Sequence, residues 1–242
     1  MIFALPLYDD NPTSRDPVVT YLLIGLCVGA FLWQLGQQNE SAVLYSYGMI
    51  PARLFGLWHP GNYQGVASWT TLVTSMFLHG GWFHLIGNMW FLWVFGDNIE
   101  DSMGRVRFVI FYLVCGIAAA LSQVALNPAS GIPMVGASGA ISGVMGAYLI
   151  LYPRVRVFCL LILGFFITSI ALPAWTMLLY WAAIQFFSGL VGLAAQESGG
   201  VAFAAHVGGF LAGIVLIKLF ARPDDVMAHQ REQWQPRRLV RR

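Results

Sequence analysis

Two residues in strongly apolar parts of the chain invite a chemical reading. Ser138 lies in Gly136-Ala137-Ser138-Gly139, among small residues where a backbone is easily approached, and His206 lies in Ala204-Ala205-His206-Val207-Gly208-Gly209. A serine hydroxyl is a poor nucleophile until a base takes its proton. His206 is the only histidine of the carboxy-terminal half inside an apolar run, and ionisable groups in such runs are costly and usually functional. Acyl transfer also needs donors aimed at the developing oxyanion. His84 and Asn88, at i and i+4, share one helical face, and the Ser138 backbone N–H is free if a helix begins there. Each of these residues also has a structural reading, as a hydrogen bond between apolar helices.

Glycine spacing tells how the two segments could touch. His206, Gly209 and Gly213 fall at i, i+3 and i+7, on one face of a helix. Gly139 and Gly143 form a small-xxx-small surface beside Ser138, with Ser142 one turn further on, and such surfaces let backbones approach closely in lipid. Metal chemistry is not expected: His79 and His84 are five residues apart, off one face, and no HExxH is present. Cys27, Cys115 and Cys159 all sit in apolar runs and read as small core residues, with no CxxC pattern. No cofactor is expected.

The elements that must carry these groups are membrane helices. Of 242 residues, 58% are hydrophobic and only 10% charged, with a mean hydropathy of +0.68; soluble domains carry roughly 25% charged residues. The net charge of +2 is too small to point to nucleic acid. Apolar runs near the ~20 residues a span needs occur at about Val18–Gly36, Trp82–Asn98, Val106–Leu126, Ser138–Tyr152, Val157–Leu172, Pro173–Leu193 and Val201–Ala221. Six spans with both termini in the cytoplasm would put twelve of the 13 basic residues inside and leave only Arg53 outside, as the positive-inside rule favours. Seven spans would expel the basic end "QPRRLVRR". The shortest run, Val157–Leu172, is therefore expected to be interfacial or re-entrant on the cytoplasmic side, with Pro173 opening the next span. Under this parity the second, fourth and sixth spans all run inward. His79, His84, Asn88, Ser138 and His206 then share one depth near the outer face.

These residues resemble the rhomboid family of intramembrane serine proteases, from about Pro17 to Phe220. "GASG" is similar to the family's GxSG, "AHVGGFLAG" to its AHxxGxxxG, "HGGWFHLIGN" to its HxxxxHxxxN, and "GDNIEDSMG" to its GxxxExxxG. The resemblance implies Ser138 as nucleophile and His206 as general base without an acidic third member. It implies an oxyanion hole of His84, Asn88 and the Ser138 backbone, with His79, Gly136, Gly139, Gly209, Gly213 and Glu100 in support. Two departures stand out: Trp69 is followed by Thr70 where some members have Arg, and Ser142 stands where some have a Tyr stacked on the base. A catalytically silent relative would have lost Ser or His from these positions. A transporter would show paired intramembrane charges or inverted repeats.

The expectation is thus an all-α membrane protein, a rhomboid-like bundle of six transmembrane helices with a long, partly helical first outer loop. Residues 1–16 form a short cytoplasmic tail, 17–221 the six-span protease domain, and 222–242 a basic, polar cytoplasmic tail. The amino-terminal segment lacks the basic start and cleavage site of a signal peptide. The implied activity is a serine endopeptidase that cuts single-span membrane proteins in or near their transmembrane segments, in the plasma membrane (the inner membrane of a Gram-negative cell). Partners are those substrates and the bilayer, not nucleic acid; the oligomeric state is left open. Asn127–Val135 and Gln196–Gly200 are candidate cap elements. The fifth span, with Trp175, Trp181, Phe186 and Phe187, is a candidate gate.

Overall fold

A computed structural model describes residues 3–57, 65–163, 166–194 and 202–227. The chain begins with strand β1 (Phe3–Asp9), then enters α1 (Val18–Leu35). Pro17 precedes α1 and offers no side-chain cap. The free N–H groups of its first turn are met instead from another helix: the Glu100 carboxylate accepts from Val19 N–H (3.0 Å), Thr20 N–H (2.8 Å) and Thr20 Oγ1 (2.9 Å). A negative group there also complements the helix dipole.

The connection after α1 is partly helical, as expected. It contains α2 (Glu40–Tyr47), capped by Asn39, then α3 (Pro51–Leu54) and α4 (Thr71–Thr74), the last flanked by 3₁₀ turns. Arg53 ties this loop together, its guanidinium donating to the Tyr45, Ser46 and Val66 carbonyls. Next come α5 (Trp82–Met103) and α6 (Arg105–Leu126), separated only by Gly104, whose φ of +80° allows the chain to reverse between two long helices.

Helix α7 (Ser138–Leu151) is the axis of the bundle. Every residue from Gly139 to Tyr148 is buried, against α5, α6 and α9 (Phe203–Phe220). The seam between α7 and α9 is glycine against glycine. A Cβ on Gly209 would strike the Gly139 carbonyl, one on Gly213 the Gly143 carbonyl, and one on Gly146 the Phe210 carbonyl. Those backbones meet only because side chains are missing. Helix α8 (Ala174–Ala194) packs beside α9. It is the least embedded of the long apolar helices, with 17% of its apolar window buried in the chain against 33–39% for α1, α6 and α9.

Those four helices are long and apolar enough to cross a membrane, and α7 is apolar but only 14 residues long. Helix α5 has the length, with Asp97, Glu100 and Asp101 toward its far end. Large apolar side chains face outward, among them Phe83 (94% exposed), Leu219 and Val106, the surface lipid covers rather than water.

The all-α expectation needs correction. Val157–Leu172, expected to be interfacial or re-entrant, is strand rather than helix: β2 (Arg156–Leu163) and β3 (Phe166–Pro173) form an antiparallel hairpin, and β1 adds to it to give a sheet ordered β1-β2-β3. An open sheet edge cannot stand in hydrocarbon, which fits an interfacial place for the hairpin and not a crossing. The segment from Phe3 to Arg15 is fastened to the rest of the chain. Cα pairing runs from Phe3↔Ile162 to Asp9↔Val157, with a register shift between Pro6 and Tyr8, where proline has no N–H to give an edge strand. Beyond the strand, Ser14 donates from N–H and Oγ to Asp101, Arg15 pairs with Asp225 at 2.7 Å, and the Tyr148 hydroxyl donates to Asp9.

Candidate active site

Ser138 is the first residue of α7, and His206 lies one turn into α9. The glycine seam sets the distance between those helices, and at its Ser138 end the His206 Nε2 lies 2.8 Å from Ser138 Oγ. On the other side of the ring, Nδ1 lies 2.7 Å from the Oε1 of Gln185 on α8. His206 is buried and Ser138 half-buried. Ser142 does not touch the imidazole; its hydroxyl donates back to the Ser138 carbonyl at 2.6 Å. The rings beside His206 are Trp181 of α8, tilted with its centroid 6.0 Å away, and Phe203, edge-on at 6.4 Å.

The chain turns into α7 through Gly136, at φ +122°, with its N–H donating to the Ser75 carbonyl at 2.8 Å. A Cβ there would come within 2.7 Å of the His84 ring and 3.4 Å of Asn88 Nδ2. Glycine is thus required twice, for the dihedral and for the space. His84 and Asn88, one turn apart on α5, both lie against Gly136, two residues before Ser138. The Gly80 N–H approaches His84 Nδ1 at 3.3 Å, which assigns the ring proton to Nε2, the nitrogen next to Gly136. Asn88 Nδ2 is buried without a hydrogen-bond partner among the described residues. Two N–H donors are therefore pre-aimed at one spot.

His79 supports this corner from behind. Fully buried, it stands edge-on to His84 (5.3 Å, 68°) and to Phe31, and neither ring nitrogen has a partner among the described residues. Its backbone is clamped by Gln34 of α1, whose Nε2 donates to the His79 carbonyl at 2.8 Å. Glu100 is not at the site. It caps α1 from the other end of α5, sixteen residues past His84 or ~24 Å of helix rise.

Of the candidate cap elements, Gln196–Gly200 lies outside the described residues. Asn127–Val135 is fastened to the first loop, with Met49 and Met134 exchanging N–H···O bonds (3.0 and 2.7 Å) and Ala52 N–H donating to the Ser130 carbonyl (3.0 Å). On the candidate gate, Trp175, Phe186 and Phe187 are exposed while Trp181 turns in toward His206. Gln185 and Gln34 escaped the sequence reading. A glutamine on an apolar helix signals only that it needs some partner, and the partners here are 21 and 45 residues away.

A hydroxyl hydrogen-bonded to an imidazole, with convergent N–H donors at a helix start, is an arrangement able to carry out acyl transfer. Among the described residues, no group of three or more His, Cys, Asp or Glu side chains is placed to hold a metal.

Comparison with known proteins leads the same way. The chain is 29% identical to Rhomboid-like protein 11, chloroplastic, of Arabidopsis thaliana over 168 residues, covering 66% of this chain and 55% of that one. It is 33% identical to Rhomboid protease GluP of Bacillus subtilis over 138 residues (56% and 25%). It is 34% identical to RHOMBOID-like protein 6, mitochondrial, of Arabidopsis thaliana over 151 residues (61% and 47%). The matched region spans from a quarter to just over half the length of these relatives. The Rhomboid domain profile matches residues 66–223, from the approach to α4 through the end of α9 and so across every residue of the Ser138–His206 corner. A bundle of apolar helices closed around that corner, in a chain with this match, is a multi-pass membrane protein that belongs to the rhomboid family.

Proposed function

We propose that the protein is an intramembrane serine endopeptidase that hydrolyses peptide bonds in or near the transmembrane segments of other membrane proteins, single-span proteins above all. The observation that carries this reading is the 2.8 Å contact between Ser138 Oγ and His206 Nε2, formed between residues 68 apart on two different helices. Ser138 Oγ attacks the scissile carbonyl as its proton passes to His206 Nε2. The oxyanion is met by His84 Nε2–H, Asn88 Nδ2–H and the Ser138 backbone N–H. Collapse breaks the C–N bond, Nε2–H protonates the departing amine, and water releases the acyl group through the same base. No cofactor takes part.

The reading includes six spans with both ends cytoplasmic, in the plasma membrane. Residues 1–16 form the leading segment, 17–221 the protease domain and 222–242 a basic tail. Ser138 and His206 then open toward the outer aqueous phase, from which the hydrolytic water comes. A helical substrate hides its carbonyls in i→i−4 hydrogen bonds, so segments that unwind easily are favoured.

The test is incubation of the purified chain in lipid vesicles with a panel of tagged single-span proteins, beside Ser138→Ala and His206→Ala. The parent is expected to yield discrete fragments and both variants none, with unchanged helicity. Fragments from either variant at the parental rate would overturn the assignment.

A further inference from the structure

Gln185 is a half-buried amide on the mostly apolar helix α8, and the proposed dyad does not use it. Its neighbours along α8 are Ile184, Phe186 and Phe187, so nothing local calls for an amide. Its Oε1 lies 2.7 Å from His206 Nδ1, while the opposite nitrogen of that ring faces Ser138 Oγ at 2.8 Å. Trp181, one turn earlier on α8, lies against the same ring. Two residues one turn apart on α8 thus meet the imidazole, one by a hydrogen bond and one by a tilted ring contact, 39° between planes.

A neutral imidazole carries one proton, on Nδ1 or on Nε2. Only the Nδ1–H form leaves Nε2 with the lone pair that can receive the Ser138 proton. With its amide oxygen at Nδ1, Gln185 accepts a hydrogen bond from that form, whereas the other form would require the amide to turn over and present its NH₂. We propose that Gln185 is a positioning residue for the reaction, its side-chain oxygen accepting from His206 Nδ1–H and so selecting the tautomer and ring angle in which Nε2 serves Ser138. The inference rests on the Ser138–His206 reading and extends it. The role is the one a carboxylate fills in a Ser-His-Asp triad, filled here by a neutral group. An amide suits a site walled by apolar helices, where a buried carboxylate would need a partner for its charge.

The experiment uses the full chain in lipid nanodiscs, with Gln185→Leu, Gln185→Glu and Ser138→Ala beside the parent. Ser138 is labelled with a fluorophosphonate across a pH series, and the side-chain nitrogens of His206 are observed by ¹⁵N NMR of histidine-labelled protein. The parent is expected to show Nδ1 protonated. Gln185→Leu should lower the labelling rate by about two- to thirteenfold, the factor that one neutral hydrogen bond represents, and give a mixture of tautomers. Gln185→Glu should restore labelling and move the acid limb of its pH profile to higher pH, since a carboxylate at Nδ1 favours the imidazolium. A merely structural Gln185 predicts equal damage from Leu and Glu with no shift of the limb. Parental labelling by Gln185→Leu, or an Nε2-protonated His206 in the parent, would overturn the proposal. If Gln185→Leu does not fold, the parental ¹⁵N spectrum and the Glu profile still decide. Labelling that persists in Ser138→Ala overturns the dyad reading itself, whereas a silent Ser138→Ala beside an unimpaired Gln185→Leu overturns only the role of Gln185.

Discussion

In the proposed mechanism His84 and Asn88 do for negative charge what His206 does for a proton, and at the scale of single residues the two jobs should separate by magnitude. Losing one oxyanion donor typically costs ~10²–10³ in rate. His84→Ala and Asn88→Ala are each expected to slow turnover of a single-span substrate by about that factor, leaving KM nearly unchanged. Equal loss of turnover from His84→Ala and His206→Ala would remove the distinction drawn between them. The pairing of Ser138 with His206 was legible because the expected topology put both at one depth and the glycine faces beside them, Gly139/Gly143 and Gly209/Gly213, allowed their helices to touch. His84 and Asn88 were legible from their i, i+4 spacing. Gln185 and Gln34 were not, since their bonds are made between helices and no spacing rule connects them. Trp181 was noticed only as a bulky gate residue, because ring contact with an imidazole on another helix leaves no trace in either sequence segment.

Among elements, the α7–α9 seam is where the chain has least freedom. Gly213→Val would drive a side chain into the Gly143 carbonyl, and backbone on both sides has nowhere to go. Overpacking costs of ~1–3 kcal/mol are usual when side chains can yield; here the helices must part. The expected result is a lower apparent unfolding midpoint and loss of Ser138 labelling together. Gly25→Ala on α1, with nothing within 4 Å of the new methyl, is the control: it should leave labelling unchanged and the midpoint at or above the parental value, since alanine favours a helix over glycine. The helix boundaries lie close to the ends of the apolar runs, with Pro173 immediately before α8 as expected, although α5 runs five residues past Asn98 to Met103. The β-hairpin did not, because a run such as Val157–Leu163 is equally consistent with a buried strand and a short helix by periodicity alone. Its β-branched content (Val157, Ile162, Ile167, Thr168, Ile170) and the glycine at 164 were the available signal.

For the molecule as a whole, the sheet and the leading segment clasp the end of the bundle opposite Ser138. Asp9 accepts from the Tyr148 hydroxyl at the base of α7, and Asp10 pairs with Arg156 at 2.6 Å. Burial pushes the Asp9 carboxyl up to about 7, outweighing the Tyr148 hydrogen bond, with Asp97 and Asp10 adding to the rise. The folded state thus holds a proton that the unfolded chain, near 3.8, has released. This contribution to stability is fully present below 3.8 and is lost as pH rises through about 7. Asp9→Asn, which mimics the protonated form, is expected to unfold at the parental temperature at low pH and above it at neutral pH. An Asp9→Asn difference that stays flat across this window would refute the linkage.

The 14 residues of α7 have one more consequence. At 1.5 Å per residue the helix rises ~21 Å, against a hydrocarbon slab of ~30 Å. Enclosed by α5, α6 and α9, it meets protein rather than acyl chains and need not match the slab. About 9 Å of the slab along the bundle axis is thus left unspanned by α7, a depth that only protein or water can fill.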